Sequence, residues 1–231
     1  MNRIIKTPVN FVMKRFGYKM IPYDYANVPT IFSNVFKVVI SDTGKKYYIN
    51  QMINEISQVR NDYKFDDLKK TDIVLDVGSC IGGFCIEIAD KVEKVFAVEP
   101  LWTRELLENI ALNGIKNIEV IERGIGSQPT RINYGNKEKV VNMISFAQLM
   151  KTCGKIDFLK VDCEGGEWLL RPEDLDGVRA VEMEIHPFDL KGGRKTYNEM
   201  KELVEMVKEC GFETQFRDDY NNMILLSGRR K

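Results

Sequence analysis

From residue 72 onward, short apolar stretches alternate with helix-length segments, and the series ends on two strands too close together to be parallel. The stretches are 73–77, 95–99, 118–121, 158–162 and 180–185. That rhythm predicts a mostly parallel sheet with crossover helices on its faces. The last two strands, 212–217 and 222–226, meet around Asp218, Asp219 and Tyr220. A parallel crossover needs a dozen or more residues, so this pair forms an antiparallel hairpin. The segment before it carries the clearest helix signals in the chain. Thr196 and Glu199 have capping-box spacing, Tyr197, Met200, Leu203, Val204 and Val207 form one apolar stripe, and Gly211 ends it. The fold class is therefore α/β, a mostly parallel sheet closed by an antiparallel hairpin.

Residues 1–70 break this rhythm and are read as an N-terminal extension ahead of a main domain at 71–231. Thr7 and Pro8 open a short amphipathic helix with Val9, Val12, Met13 and Phe16 on one stripe and Gly17 as its stop. The first 23 residues hold five cations and no acid, which gives a weak case for contact with an anionic membrane surface. Packing of the stripe against the main domain is the simpler reading. Segments 35–40 and 46–49 flank a Ser-Asp-Thr-Gly turn and predict a hairpin, with a helix over 52–60.

The balance of 34 basic and 34 acidic residues argues against a protein that coats nucleic acid by charge alone. No run of apolar residues reaches the ~18 needed to span a bilayer. Five cysteines, none in a Cys-x-x-Cys pair and none near the single histidine, exclude the usual zinc spacings and a closed disulfide framework. A reducing, cytoplasmic setting is expected.

Chemistry concentrates at strand ends. Residues 76–84 read Asp-Val-Gly-Ser-Cys-Ile-Gly-Gly-Phe, directly after the first strand and opening a helix. Gly78 and Gly82 allow a sharp turn and close approach of a ligand to backbone. Cys80 stands where a dinucleotide fingerprint needs glycine, and the Gly-Lys-Ser/Thr ending of a phosphate loop is absent. With Asp76 upstream, the loop suits a ligand carrying an amino-acid end, whose ammonium group a carboxylate can hold. The next strand ends in Glu99, placed to accept hydrogen bonds from ribose hydroxyls, followed by Pro100, which is suited to pack on a base. Ile125 is a candidate for the opposite wall.

The second constellation is Lys160-Val-Asp162-Cys-Glu164-Gly-Gly-Glu167-Trp168, followed by Glu182-Met-Glu184-Ile-His186-Pro187 on the next strand. Alternation along a strand puts Lys160 and Asp162 on one side, and Glu182, Glu184 and His186 likewise. Asp162, Glu164, Glu184 and His186 fall at the carboxyl ends of the strands, where open α/β sheets bind ligands.

Together with Asp76-Val-Gly-x-x-Ile-Gly, Val98-Glu99-Pro100 and the stretch from Asn109 to Gly114, these residues resemble the FkbM family of S-adenosylmethionine-dependent methyltransferases. The likeness covers about residues 70–227. It implies a Rossmann-like class I methyltransferase sheet, with S-adenosylmethionine as cofactor and S-adenosylhomocysteine as product. By this resemblance Asp76, Gly78, Gly82 and Glu99 belong to the cofactor side, and Asp162, Glu164, Glu184 and His186 line the substrate side; Ser79, Cys80, Pro100 and Ile125 complete the candidate cofactor contacts. It also implies O-methylation of a hydroxyl on a small molecule or glycan. Two departures stand out: Ser79-Cys80 replaces Ala-Asn, and Ile144-Ser-Phe-Ala-Gln-Leu149 replaces an acidic stretch.

A hydroxyl is a poor nucleophile until it loses its proton, so an O-methyltransferase gains from a general base. His186 is the candidate, with an unperturbed pKa near 6.5. Asp162 orients the acceptor or serves as base, and Glu164 and Glu184 fix the imidazole or balance the sulfonium. The same four groups are open to a divalent cation, though that reading is not favoured and no metal ligand is assigned. Two alternatives remain. One is methylation of RNA or protein, with the basic N-terminal helix and Arg229, Arg230 and Lys231 as docking elements, and the other is a cofactor-binding module without activity.

Overall fold

The computed structural model describes residues 19–20, 38–48, 56, 59, 62–134, 137–218 and 222–230. The expected helix at 7–16 lies outside them, as does most of the one at 52–60, of which Ile56 and Val59 are described and helical. The elements run β1 (Lys19–Met20), β2 (Val38–Ile40), β3 (Lys46–Tyr48), β4 (Ile73–Val77), α1 (Gly83–Ile88), β5 (Lys94–Val98), α2 (Thr103–Leu112) and β6 (Ile118–Ile121). They continue with β7 (Gly124–Ile125), β8 (Thr130–Tyr134), β9 (Lys137–Val141), β10 (Met143–Ile144), α3 (Phe146–Cys153) and β11 (Phe158–Val161). Then come β12 (Ala180–Ile185), α4 (Tyr197–Glu209), β13 (Phe212–Asp218) and β14 (Ile224–Arg230).

Seven strands form the main sheet in the order β13-β14-β12-β11-β4-β5-β6. β6, β5, β4, β11 and β12 pair in parallel, while β14 runs antiparallel to both neighbours. The chain moves outward from β4 to β6, then crosses back to β11, so the strand order reverses between β4 and β11. Ligand crevices of open α/β sheets lie outside the strand ends at such a switch point. No described helix is long and apolar enough to cross a membrane.

The period-2 alternation of the strands sorts side chains onto two faces. Leu75, Val77, Leu159, Val161, Val181 and Met183 pack with Phe146 and Leu149 of α3 and with Met200, Leu203, Val204 and Val207 of α4. Thr196 and Glu199 form the expected capping box on α4, with Thr196 Oγ1 accepting from the Glu199 N–H at 3.2 Å. On the opposite face Val74, Phe158 and Ala180 pack with Ile86 and Phe84 of α1 and with Val39, Tyr47, Tyr63 and Phe65 from the first 70 residues. Tyr63 and Phe65 meet Phe84 edge-on, with ring centres 5.7 and 5.6 Å apart. Asp76, Lys160, Asp162 and Glu184 share the parity of this second face. The residues preceding the main sheet thus cover the side on which its charged groups lie.

The β2–β3 hairpin appears where described, and its backbone is tied to α2: Asn109 Oδ1 accepts from Tyr48 N–H and Asn113 Oδ1 from Lys46 N–H, both at 2.8 Å. The closing hairpin is longer than its apolar signal, because β14 continues through Ser227 to Arg230 in register with β12 and β13. Both arginines of this segment are engaged within the fold. Arg229 lies in the strand and bonds Glu182 at 2.7 Å and Asp67 at 2.9 Å, and Arg230 lies over the Phe212 ring at 4.6 Å.

Candidate functional site

β4 delivers Asp76 and then turns at Gly78, whose N–H donates to the Val98 carbonyl at 2.9 Å, followed by that of Ser79 at 3.1 Å. Gly78 has φ 82°, and a Cβ there would sit 1.6 Å from the Asp162 carbonyl oxygen. Glycine is demanded at this position by the end of β11 pressing on the loop. Gly82, at φ 99°, precedes α1, and a Cβ there would press on Ile86 and Leu106. Cys80 holds φ 49°, a conformation glycine adopts without the cost of a Cβ. Ser79 is buried, its hydroxyl donating to the Asp76 carbonyl at 2.9 Å. Asn109 of the family-like stretch donates from Nδ2 to the Ile81 carbonyl at 2.9 Å, fixing the loop from behind.

Glu99 lies at the end of β5 as expected, and its carboxylate is held by backbone. Oε1 accepts from Leu101 at 2.6 Å and Trp102 at 2.9 Å, and Oε2 from Cys80 at 2.8 Å. Burial pushes its pKa up to about 7 against the pull of those amides. Oε2, with a single donor, keeps acceptor capacity for a hydroxyl. Pro100 lines an open cleft with Ile121, Glu122, Arg123 and Lys139. Ile125 does not line that cleft. It is buried in the core close to Gly166.

Asp76 is fully buried, with Lys160 Nζ 3.2 Å from Oδ1. Apart from this ion pair and the nearby Cys85 thiol, neither carboxylate oxygen accepts a hydrogen bond. Lys160 Nζ also donates to the Gly78 carbonyl at 2.8 Å and stands 3.5 Å from Asp162 Oδ2. Burial opposes its charge, but Asp76 and Asp162 hold the ammonium above the ordinary lysine range. The motif lysine therefore links the two constellations.

Asp162, Glu164, Glu184 and His186 do converge. His186 Nε2 is 4.0 Å from Asp162 Oδ1 and 3.5 Å from Glu164 Oε2. Glu164 sits at φ 55° in the tight turn after β11. Asp162 Oδ2 accepts from the Tyr63 hydroxyl at 2.7 Å, and Glu184 Oε2 accepts from the same hydroxyl at 3.3 Å. Burial and its acidic neighbours raise the Tyr63 pKa, so the phenol stays a neutral donor. Burial, with Asp162 adding to it, also raises Glu184 to about 8.

The imidazole is fixed by Glu167, not by Glu164 or Glu184. Glu167 is fully buried, and its Oε1 meets His186 Nδ1 at 2.9 Å and accepts from the His186 N–H at 2.8 Å. Its Oε2 accepts from the Gly165 N–H at 3.0 Å. Burial works against a charged ring, but Glu167, Asp162 and Glu164 outweigh it and lift His186 to about 10. A ring raised this far acts as a donor at neutral pH, and the carboxylates around it are the other candidates for the base. Trp168 donates from Nε1 to the His186 carbonyl at 3.1 Å and packs against the core.

Sequence reasoning missed Tyr63 and the role of Glu167. Glu167 stands in the motif three residues after Glu164, a spacing that brings it round the short turn at Gly166–Leu169. Nothing around Tyr63 marks it, since its partners lie about a hundred residues away. The 144–149 stretch that departs from the family pattern starts α3, with Ser145 and Gln148 as a capping box and Phe146 and Leu149 in the core.

Comparison with solved structures returns methyltransferase-like folds. Methanococcus jannaschii fibrillarin pre-rRNA processing protein aligns at 16% identity over 89% of this chain and 86% of that one, with a TM-score of 0.53. P. horikoshii TYW2 in complex with MeSAdo aligns at 18% identity over 85% and 72%, with a TM-score of 0.50. At such identities the likeness establishes the fold alone, a Rossmann-like class I sheet. No curated protein matches the sequence. A family model described as the methyltransferase FkbM domain matches residues 76–214, well over half of the chain and every motif of the crevice except the final strands. The chain belongs to the FkbM methyltransferase family.

Proposed function

We propose that this methyltransferase uses S-adenosylmethionine to methylate a hydroxyl group on a small molecule or sugar. The carrying observation is the placement of two unlike sites on one rim of the sheet. A glycine loop with a strand-terminal acid lies at β4 and β5, and a carboxylate and imidazole cluster lies beyond β11 and β12. The cofactor fits the first. Asp76 is a buried carboxylate short of donors, as an ammonium group requires, and Glu99 Oε2 has room for a ribose hydroxyl. Pro100, with Ile121, Val140 and Val141 in the cleft beside it, offers an apolar contact to a base among polar neighbours.

S-adenosylmethionine supplies a methyl group already activated by the positive sulfur. The protein's first task is alignment, and well-oriented reactants can lower a barrier by ~7–11 kcal/mol. The new C–O bond forms as the C–S bond breaks, and the hydroxyl proton passes to a carboxylate of the cluster. Asp162 is the group assigned to receive it. Its Oδ2 is held by the Tyr63 hydroxyl at 2.7 Å and lies 3.5 Å from Lys160 Nζ, whereas burial raises Glu184 towards protonation. His186, held charged by Glu167, orients the acceptor as a donor.

Calorimetric titration with S-adenosylhomocysteine, followed by an acceptor screen against sugars, phenols, RNA and protein, tests this reading. Cofactor binding with transfer to low-molecular-weight hydroxyls supports it. Transfer only to RNA, with affinity falling steeply as salt rises, would replace it with the macromolecular alternative.

A further inference from the structure

Asp162, Glu184 and His186 each offer one ligand atom, and all three atoms lie within 4.8 Å of one another. A divalent cation about 2.0–2.6 Å from its ligands needs donor atoms roughly 3–5 Å apart. Proximity of acids alone would carry little weight, but the histidine supplies a separate observation. His186 is only 3% exposed, and Glu167 fixes its ring through Nδ1. Nε2, aimed into the cluster, makes no hydrogen bond to the described residues, the two carboxylate oxygens paired with it being 3.5 Å and 4.0 Å away. A carboxylate that orients one ring nitrogen while the other faces acidic side chains is the outer-shell arrangement of metal-binding histidines.

Four acidic side chains gather around the His186 ring. Asp162, Glu164, Glu167 and Glu184 converge, with Lys160 as the lysine among them, and Lys160 is already committed to Asp76 and the Gly78 carbonyl. The one hydrogen bond received by Glu184 comes from the neutral Tyr63 hydroxyl at 3.3 Å.

We propose that Asp162, Glu184 and His186 form a binding site for a divalent cation, with Glu167 as the residue that positions the imidazole. One nitrogen and two carboxylate ligands suit Mn²⁺ or a neighbouring transition metal better than Mg²⁺, which favours all-oxygen sites. Only the use of this cation rests on the hydroxyl-methylation reading: it would coordinate the acceptor oxygen and lower the pKa of that hydroxyl. The cation and the Nε2 proton compete for one place, so binding releases protons.

The test uses full-length protein stripped with a chelator and then dialysed. His186 is the only histidine in the chain, so its ring gives one imidazole signal set by NMR. Substoichiometric Mn²⁺ should broaden that set, and electron paramagnetic resonance of free Mn²⁺ should show saturable uptake of one ion per chain. Glu184→Gln should weaken uptake about tenfold or more and Glu167→Gln by ~10–100-fold, while Glu209→Gln, at an exposed position of α4, should not change it. An unbroadened imidazole signal in the unaltered protein, or uptake equal in all three variants, overturns the site whether or not any variant folds well. S-adenosylhomocysteine titrated into the same preparation separates the two readings. Cofactor binding without Mn²⁺ uptake sinks the cation site alone, and Mn²⁺ uptake without cofactor binding sinks the proposed transfer alone.

Discussion

The two halves of the crevice are built from different materials. At β4 and β5 the acid is held by backbone, with three amides from two turns closing on Glu99. At β11 and β12 the acids are held by side chains, with Tyr63, Lys160, Glu167 and His186 sharing protons and charge among them. Backbone bonds fix a shape that persists through most substitutions. Side-chain networks are sensitive to each member, because a partner removed from a buried group leaves its desolvation cost uncompensated. The cofactor half should therefore fail by distortion of the chain, and the acceptor half by loss of charge balance.

The largest effect is expected where the halves touch. Gly78→Ala places a methyl group on the Asp162 carbonyl oxygen at a positive φ, and the contact is with backbone that cannot swing aside. We expect a loss of about 4 kcal/mol or more in chemical denaturation, enough to leave little folded protein. A mild effect would mean that the two strand ends are not in the close contact described.

Next is Asp162→Asn, which keeps the shape of the acceptor half and removes its ionised oxygen. Turnover should fall ~10²–10⁴-fold with the affinity for S-adenosylhomocysteine nearly unchanged. Loss of cofactor affinity instead would mean that charge in one half is felt in the other through Lys160. Glu99→Ala is the matching change in the cofactor half. It should weaken cofactor binding by roughly 1–3 kcal/mol, and calorimetry giving an unchanged affinity would remove Glu99 from the site.

The protonation state of His186 gives a contrast in pH. Its pKa is raised to about 10 in the folded protein against 6.5 for the free side chain, so the folded state binds the extra proton. That contribution is fully present below about pH 6.5 and is lost as pH climbs towards 10. Glu184, raised from 4.5 to about 8, acts in the same direction at lower pH. In metal-free buffer the melting temperature should drop between pH 6.5 and 9.5, and His186→Gln should flatten that slope. A melting temperature equally steep in the variant would place the titrating group elsewhere.

The same division explains how far the sequence could be read. The sheet, its closing hairpin, the capped α4, the glycine loop and Glu99 all rest on local rules: strand alternation, a linker too short to cross over, residues needing a left-handed backbone. The β8–β9 hairpin escaped because it is largely exposed and carries no apolar stripe to betray it. The four polar residues at the β11 and β12 ends were legible through alternation and motif, but the charge state of His186 was not. A reference pKa describes a ring in water, and three carboxylates around a buried ring reverse its protonation. Arg229 and Arg230 read as a free basic end because their partners, Glu182, Asp67 and Phe212, come together only in the folded sheet.

Tyr63 is the furthest from any local signal, and it yields the smallest predicted effect. Its hydroxyl donates to Asp162, 99 residues on, and to Glu184, 121 residues on, while its ring packs against Phe84 and lies under Lys160 at 5.3 Å. Tyr63→Phe keeps the ring and deletes one donor shared by two acids. Stability should fall by only ~1 kcal/mol, since most of the burial survives. Asp162 loses the hydrogen bond that fixes its carboxylate, so turnover should fall while the affinity for S-adenosylhomocysteine stays constant. Turnover equal to that of the unaltered protein would confine Tyr63 to packing. Lowered turnover would make the segment before the main sheet part of the acceptor half, so that the 71–231 portion alone would lack a group its own acids depend on.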